Sequence, residues 1–182
     1  MSVQKTNLII LDRDGVINYD SDSYIKSPDE WIPIPGSLEA IAKLSKAGIQ
    51  VVVATNQSGI ARGFYDEFVL KQIHQKMLEA IQVHGGALSG IFYCPHGPDE
   101  NCQCRKPKPG LIRQISEALQ IDTQGAPFVG DSIRDIEAAI AGGCQPILVK
   151  TGNGQKTAKN STLSVPVYDD LLDFSTHWLG QA

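Results

Sequence analysis

The chain has 182 residues, 42% of them apolar and 20% charged, which suits a folded domain with a sizeable core and excludes disordered, collagen-like and fibrous proteins. The 16 Lys and Arg against 20 Asp and Glu give a net charge of −4, which offers no field to draw in the phosphates of a duplex. No apolar run approaches the roughly 18–20 residues of a bilayer span, and Met1 to Asn7 lacks the apolar centre of a secretory signal. A cytoplasmic protein without nucleic-acid or membrane partners is expected.

The first apolar run, Leu8 to Leu11, reads as a buried strand and opens directly onto Asp12-Arg13-Asp14-Gly15-Val16. Asp12 at the strand's end can serve as a nucleophile, and Asp14 just beyond it as an acid and then a base, provided a divalent cation offsets the charge. Ser37 is expected to cap a helix bearing Leu38, Ile41 and Leu44 and ended by Gly48. A second strand, Ile49 to Ala54, runs into Thr55-Asn56-Gln57-Ser58-Gly59, whose hydroxyl and amide groups suit the oxygens of a transferring phosphoryl. A longer helix then carries Leu70, Ile73, Met77 and Ile81 and stops at Gly85-Gly86, ahead of a third strand, Gly90 to Tyr93.

The next segment concentrates three of the four cysteines. Cys94, His96, Cys102 and Cys104 lie within eleven residues, whereas a disulfide framework would spread its cysteines. Two soft or borderline ligands, a short excursion and two thiolates match a closed tetrahedral zinc site, which would stiffen a loop of little apolar content. Arg105-Lys106-Pro107-Lys108 follows at once, bringing cations to the start of a helix that Pro109 opens and Leu111, Ile115 and Leu119 line. A fourth strand, Pro127 to Val129, ends in Gly130-Asp131-Ser132-Ile133-Arg134-Asp135, where Asp131 can join a site of oxygen ligands for a hard cation.

Ser132 would cap a helix bearing Ile133, Ile136 and Ile140. Cys144 reads as a small buried residue, Pro146 to Val149 as a fifth strand, Thr151 to Ser164 as a polar stretch and Val165 to Tyr168 as a short final strand. Strand and helix alternate, so the expected fold is α/β: a Rossmann-like parallel sheet with helices on both faces, in one domain over residues 1–182.

Each acidic or basic fragment alone also reads as a solvated turn, but their order at successive strand ends does not. Asp12, Asp14, Val16, Thr55, Lys106 and Gly130 to Asp135 resemble the motifs of the haloacid dehalogenase superfamily of phosphohydrolases. That resemblance implies Mg²⁺-dependent transfer in two steps: Asp12 attacks phosphorus, and water then releases phosphate from the aspartyl-phosphate. Asp14 would protonate the leaving alkoxide and later activate the water; Asp12, the backbone carbonyl of Asp14, and Asp131 would hold Mg²⁺; Thr55 and Lys106 would bind the phosphoryl oxygens. Asp135 would support the metal or simply lie on the helix face. No insertion is long enough to fold as a large cap domain, which leaves specificity to short loops.

The zinc loop, together with Thr55 to Gly63 and Cys104-Arg105-Lys106-Pro107-Lys108-Pro109-Gly110, resembles the D,D-heptose 1,7-bisphosphate 7-phosphatase family, which serves ADP-heptose and lipopolysaccharide-core synthesis. By that resemblance Asp20 to Ser23 would touch the sugar, Asn56, Gln57 and Ser58 would line the phosphoryl site, and Arg105 with Lys106 would meet the phosphates of a sugar bisphosphate bound by a monomer. Ser132 stands where that family often has Lys, one cation fewer for substrate. Histidinol-phosphate phosphatase, a relative with the same zinc loop, is the alternative enzyme; a zinc-stabilised binding module on an inactive scaffold is the non-enzymatic alternative, disfavoured because every catalytic motif residue is present.

Overall fold

The computed structural model describes residues 6–160, 162 and 164–181, so most of the N-terminal segment read against a secretory signal lies outside the described residues. In chain order the elements are β1 (Leu8–Leu11), α1 (Ser37–Lys46), β2 (Gln50–Asn56), α2 (Glu67–Val83), β3 (Gly90–Cys94), α3 (Gly110–Leu119), β4 (Pro127–Gly130), α4 (Ile133–Ala141), β5 (Gln145–Val149), α5 (Gly154–Asn160), β6 (Val167–Tyr168) and α6 (Leu171–Gly180). Single turns of 3₁₀ helix sit at Pro28–Glu30 and Pro98–Glu100.

The six strands form one sheet in the order β3-β2-β1-β4-β5-β6, and every neighbouring pair is parallel. β1 and β2 read as continuous apolar runs because both sheet faces are covered. Ile9, Leu11, Val51 and Val53 face one core with Ile41, Leu44, Ile73, Met77 and Phe174. Leu8, Ile10, Val52 and Ala54, one residue out of step, face a second with Leu111, Ile112, Ile115 and Ala139. Helices therefore lie on both faces, as the alternation of elements predicts.

Four local expectations change. Gly36, at φ +84°, takes the cap position of α1, and Ser37 lies inside the helix with its hydroxyl donating to the Ile17 carbonyl at 2.7 Å. α4 does not bury Ile133 and Ile140, which are exposed; Asp135, Ile136, Ala138 and Ala139 face inward, because small residues let this helix lie close on the sheet and Asp135 has a buried partner. The polar stretch after Thr151 contains α5, and α6 follows the last strand, with Asp170 capping it through the Asp173 amide at 2.8 Å. α6 packs Leu171 and Phe174 into the core beside α1.

β1 lies between β2 and β4, so the chain moves in opposite directions across the sheet on leaving it. That switch opens a crevice at the carboxyl ends of these three strands, where ligands gather in open α/β sheets. The connections that overlook it are residues 12–36, 57–66 and 95–109, and none folds as a separate cap.

Candidate active site

Asp12 and Asp14 leave β1, Thr55 to Ser58 leave β2, Arg105 and Lys106 come from the loop after β3, and Asp131 leaves β4; all line one cavity of about 370 Å³ with Asp20. Ser23 is the exception. A turn closed by the Tyr24 amide on the Ser21 carbonyl, 3.0 Å, leaves Ser23 exposed over a separate shallow hollow, while Ser21, Asp22 and Tyr24 reach the cavity.

Lys106 is the buried hinge of the charge arrangement. Its ammonium lies 2.9 Å from Asp12 Oδ1 and 2.6 Å from Asp135 Oδ1, and also donates to the Ala54 carbonyl at 2.9 Å. Burial works against its charge, but Asp12 and Asp135 outweigh that and hold its pKa above the ordinary lysine value. Asn56 brackets the same residue from the main-chain side: its Oδ1 accepts from the Lys106 amide and its Nδ2 donates to the Lys106 carbonyl, both at 3.1 Å. Asn56 thus sets where Lys106 stands as well as lining the cavity.

Carboxylate oxygens of Asp12, Asp131 and Asp135 gather within 4.8 Å of one another, all three buried. Burial, then the charge of Asp135, raises Asp12 well above the carboxylate range, with Lys106 pulling the other way; the same two causes push Asp131 up to about 7. Three acids facing one ammonium carry more negative charge than the site can hold, and a divalent cation among these hard oxygen donors would relieve it, so the donor set fits Mg²⁺. Asp131 is fixed closely by its neighbours. Its Oδ2 accepts from the Asn153 amide at 2.7 Å, and it lies against Gly15 (φ +84°) and Gly152 (φ +55°), where a Cβ would come within 2.1 and 2.2 Å of Oδ2.

Asp14 sits in the opposite environment. Arg13, whose side chain is 1% exposed, donates Nη2 to both oxygens at 2.8 and 3.1 Å and Nε to Oδ1 at 3.1 Å. Asn18 Nδ2 adds a bond at 2.9 Å to Oδ1 and Gln57 Nε2 another at 2.9 Å to Oδ2. Burial would raise its pKa, but Arg13 and these donors more than reverse it and leave the carboxyl below its ordinary value. Gln57 also donates to Thr55 Oγ1 at 2.8 Å and accepts from the Tyr65 hydroxyl at 2.7 Å, joining the Thr55 hydroxyl to Asp14. His74 Nε2 lies 3.2 Å from Arg13 Nη1, and burial followed by the Arg13 charge lowers its pKa to about 3, so it is neutral and accepts that hydrogen bond.

Sequence reasoning missed Arg13, Tyr65, His74 and Asn153, none of which belongs to a motif position, and left Asp135 undecided. Asp135 neither lies on an exposed helix face nor waits for solvent: its Oδ2 accepts from the Ser132 hydroxyl at 2.7 Å, the Ser132 amide at 3.0 Å and the Asp131 amide at 3.2 Å.

The cysteine loop closes on itself beside the cavity. The Sγ atoms of Cys94, Cys102 and Cys104 are 3.1–3.6 Å apart, and His96 Nδ1 is 3.5 Å from Cys94 and 3.3 Å from Cys104. Thiolates about 2.3 Å from one tetrahedral zinc would stand about 3.8 Å apart, so the four donors already mark the corners such an ion needs, with none left for water. Arg105, next in the chain, donates Nη1 to the His96 carbonyl at 3.2 Å and is thereby tied to that loop.

A strand-end aspartate pair, a buried lysine and an acidic cation site on this sheet define a phosphoryl-transfer enzyme of the haloacid dehalogenase type. The HAD-hydrolase-like family model accordingly matches residues 103–174. Over nearly its whole length the chain is 60% identical to D-glycero-beta-D-manno-heptose-1,7-bisphosphate 7-phosphatase of Pseudomonas aeruginosa, covering 91% of this chain and 93% of that one. The like-named protein of Bordetella bronchiseptica is 53% identical, covering 96% and 99%. The solved structure of D,D-heptose 1,7-bisphosphate phosphatase from B. bronchiseptica, complexed with magnesium and phosphate, superposes with a TM-score of 0.94 at 53% identity over the same shares of the two chains. The enzyme from Burkholderia thailandensis follows at 0.75 and 43%, covering 94% and 97%. The chain belongs to the D-glycero-beta-D-manno-heptose-1,7-bisphosphate 7-phosphatase family.

Proposed function

We propose that this chain is a Mg²⁺-dependent phosphomonoesterase that removes the C7 phosphate of D-glycero-D-manno-heptose 1,7-bisphosphate, in the β form for which its relatives are named, on the route to ADP-heptose and the lipopolysaccharide core. The carrying observation is the Asp12–Lys106–Asp135 arrangement at the sheet's switch point, beside the Asp131 oxygens, in a chain 60% identical to a relative of that name.

Asp12, with Asp131 and the Asp14 carbonyl, would hold Mg²⁺, which supplies charge neutralisation between the carboxylates and the phosphate. Lys106 and Thr55 take the equatorial phosphoryl oxygens while an Asp12 oxygen attacks phosphorus in line and the P–O bond to C7 breaks. Asp14 delivers the proton that the departing alkoxide takes up, then accepts one from the water that attacks the aspartyl-phosphate, returning Asp12 and releasing phosphate. Its clamp by Arg13, Asn18 and Gln57 favours the ionised form, which is the base; the dianionic phosphate arriving beside it raises its proton affinity for the acid half. Arg105, with the Asp20 segment, meets the sugar phosphate. Cys94, His96, Cys102 and Cys104 would hold a structural Zn²⁺ that fixes the Arg105–Lys106 segment. The reading carries with it one phosphatase domain over 1–182, acting as a cytoplasmic monomer.

The test is phosphate release from a panel of both heptose bisphosphate anomers, fructose bisphosphate and histidinol phosphate, with Asp12→Asn as control. Fastest turnover of a heptose bisphosphate, abolished in the variant, is expected. Fastest turnover of histidinol phosphate would overturn the substrate, and unchanged turnover by Asp12→Asn the mechanism.

A further inference from the structure

A second cavity, of about 280 Å³, adjoins the catalytic one, and the two share Pro98, Arg105, Lys106 and Arg134 in their walls. Their charges differ in kind. Six carboxylates line the catalytic cavity, Asp22 among them, whereas the adjoining one is walled by Arg105, Lys106, Lys108 and Arg134 with no acidic residue. Lys106 is neutralised by Asp12 and Asp135. The others are not: Arg105 touches the His96 carbonyl, and Lys108 Nζ donates at 2.8 Å to both Asn101 Oδ1 and the Cys102 carbonyl, all uncharged oxygens. Arg134 makes no side-chain hydrogen bond or ion pair among the described residues. At the start of α4 the Ser132 hydroxyl is already spent on Asp135, so Arg134 is the free donor on that side.

Three cations without counter-charges around one recess, continuous with a site that takes a phosphate, form an anion subsite. We propose that this cavity receives the second phosphate of the bisphosphate while the first lies at Asp12, with Arg134 as a specificity-determining residue that grips it by its planar fork and Lys108 facing it from the zinc loop. This rests on the phosphatase reading above and extends it to which residues count the phosphates. Arg134 is the telling member because its guanidinium, unlike the Arg105 guanidinium and the Lys106 ammonium, makes no bond to the protein among the described residues that its removal would break. A free guanidinium costs nothing in the fold when removed, so any loss falls on binding.

The experiment compares kcat and KM of Arg134→Ala, Arg134→Lys and Lys108→Ala on heptose 1,7-bisphosphate and on heptose 7-phosphate, with Arg62→Ala as the charge control. Arg62 lines the catalytic cavity but not the adjoining one, so its removal changes the general field by the same unit charge. Arg134→Ala is expected to lower the bisphosphate-over-monophosphate ratio of kcat/KM about 10- to 100-fold, the size of one lost charge-assisted contact, through KM rather than kcat. Arg134→Lys should restore part of it, and Lys108→Ala should lower the ratio less. An unchanged ratio in Arg134→Ala, or an equal fall in Arg62→Ala, would overturn the subsite while leaving the phosphatase function standing. Wild-type protein that releases no phosphate from heptose bisphosphate would overturn the function and the subsite with it.

Discussion

Asp135→Asn is the sharpest perturbation of the site, because the two side chains have the same shape and differ where the structure is least forgiving. Asp135 is 1% exposed and uses both oxygens: Oδ1 accepts from Lys106 Nζ at 2.6 Å, and Oδ2 accepts from the Ser132 hydroxyl and from the amides of Ser132 and Asp131. Asparagine turns one of those oxygens into an NH₂ donor. Facing Lys106 it meets an ammonium; facing α4 it meets three donors at once. The cheaper orientation sets NH₂ against Lys106 and leaves that buried cation with Asp12 and the neutral Ala54 carbonyl. Breaking one side of a buried pair costs about 3–5 kcal/mol, and the remaining Asp12 contact places the expected loss near the bottom of that range, about 3 kcal/mol. For a chain of this size that is a fall in Tm of about 6–12 °C, read by thermal or urea unfolding in the presence of chelator. Phosphate release should drop as well, by at least about 10-fold, since Lys106 would lose one of the two carboxylates that, on the proposed mechanism, aim it at the phosphoryl group. Asp135→Ala should unfold more easily still, because the two amides at the start of α4 lose their acceptor. Wild-type Tm and turnover in Asp135→Asn would refute the view that Asp135 exists to hold Lys106.

Three further outcomes follow from the same geometry. His74 is held neutral, its pKa lowered from 6.5 to about 3, so the unfolded chain takes up a proton that the folded one refuses and stability falls with pH below 6.5; His74→Gln should remove about 1.4 kcal/mol of the wild-type loss between pH 7.5 and 5.5, measured by urea unfolding, and equal slopes would disprove it. Asp12 and Asp131 bind protons too readily for carboxylates, so Mg²⁺ should displace protons at pH 7 and bind more tightly as pH rises; calorimetry in buffers of different ionisation enthalpy reads this, and proton-neutral binding would contradict it. Cys102→Ser should reduce zinc from one per chain and raise KM by loosening Arg105 and Lys106 while Asp12 stays in place, so elemental analysis that finds no zinc in wild-type protein purified without chelator would sink the assignment.

What the sequence made legible is what strand geometry and short motifs write locally. Asp12, Thr55 and Asp131 each follow an apolar run directly, so period-two burial places them at one sheet edge without any knowledge of tertiary contacts. Cys94, His96, Cys102 and Cys104 cluster in one short loop, a grouping that needed only their spacing. Partners brought from afar left no such trace. His74 is 61 positions from Arg13 and looks like one more residue of an amphipathic helix, and Asn153 lies in a polar stretch whose helix has too few apolar residues for a periodic signal. Ile133 and Ile140 misled for the converse reason: apolar spacing marks a face, but α4 turns the face with Ala138, Ala139 and Asp135 inward because a buried ammonium waits there. Ser23 was placed by its neighbours, and a single turn at Ser21 to Tyr24 was enough to aim it elsewhere.

Arg13 gives the site a logic that the motif residues alone do not have. Two carboxylates separated by one residue, on one loop, would ordinarily share a fate, yet the structure pushes Asp12 toward holding a proton and Asp14 toward losing one. Burial raises both, and the neighbouring charges separate them: Asp135 adds to the rise at Asp12, while Arg13 more than reverses it at Asp14. Lys106 must serve Asp12 and Asp135 together, while the Arg13 guanidinium is kept away from Asp12 by the direction of its side chain, backed by His74 and Gln57, and spends itself on Asp14. That balance is the reverse of what attack on phosphorus by Asp12 would require on the proposed mechanism: the carboxyl that would attack is the one that holds a proton more readily. On that mechanism a divalent cation held by Asp12 and Asp131 would compete with the proton and favour the Asp12 carboxylate, so the charge that neutralises the incoming phosphate would also free the attacking group. Asp14, needing no such help to be ionised, would be left to respond to the substrate's own charge, so that separate partners would give the two acids the separate roles proposed for them.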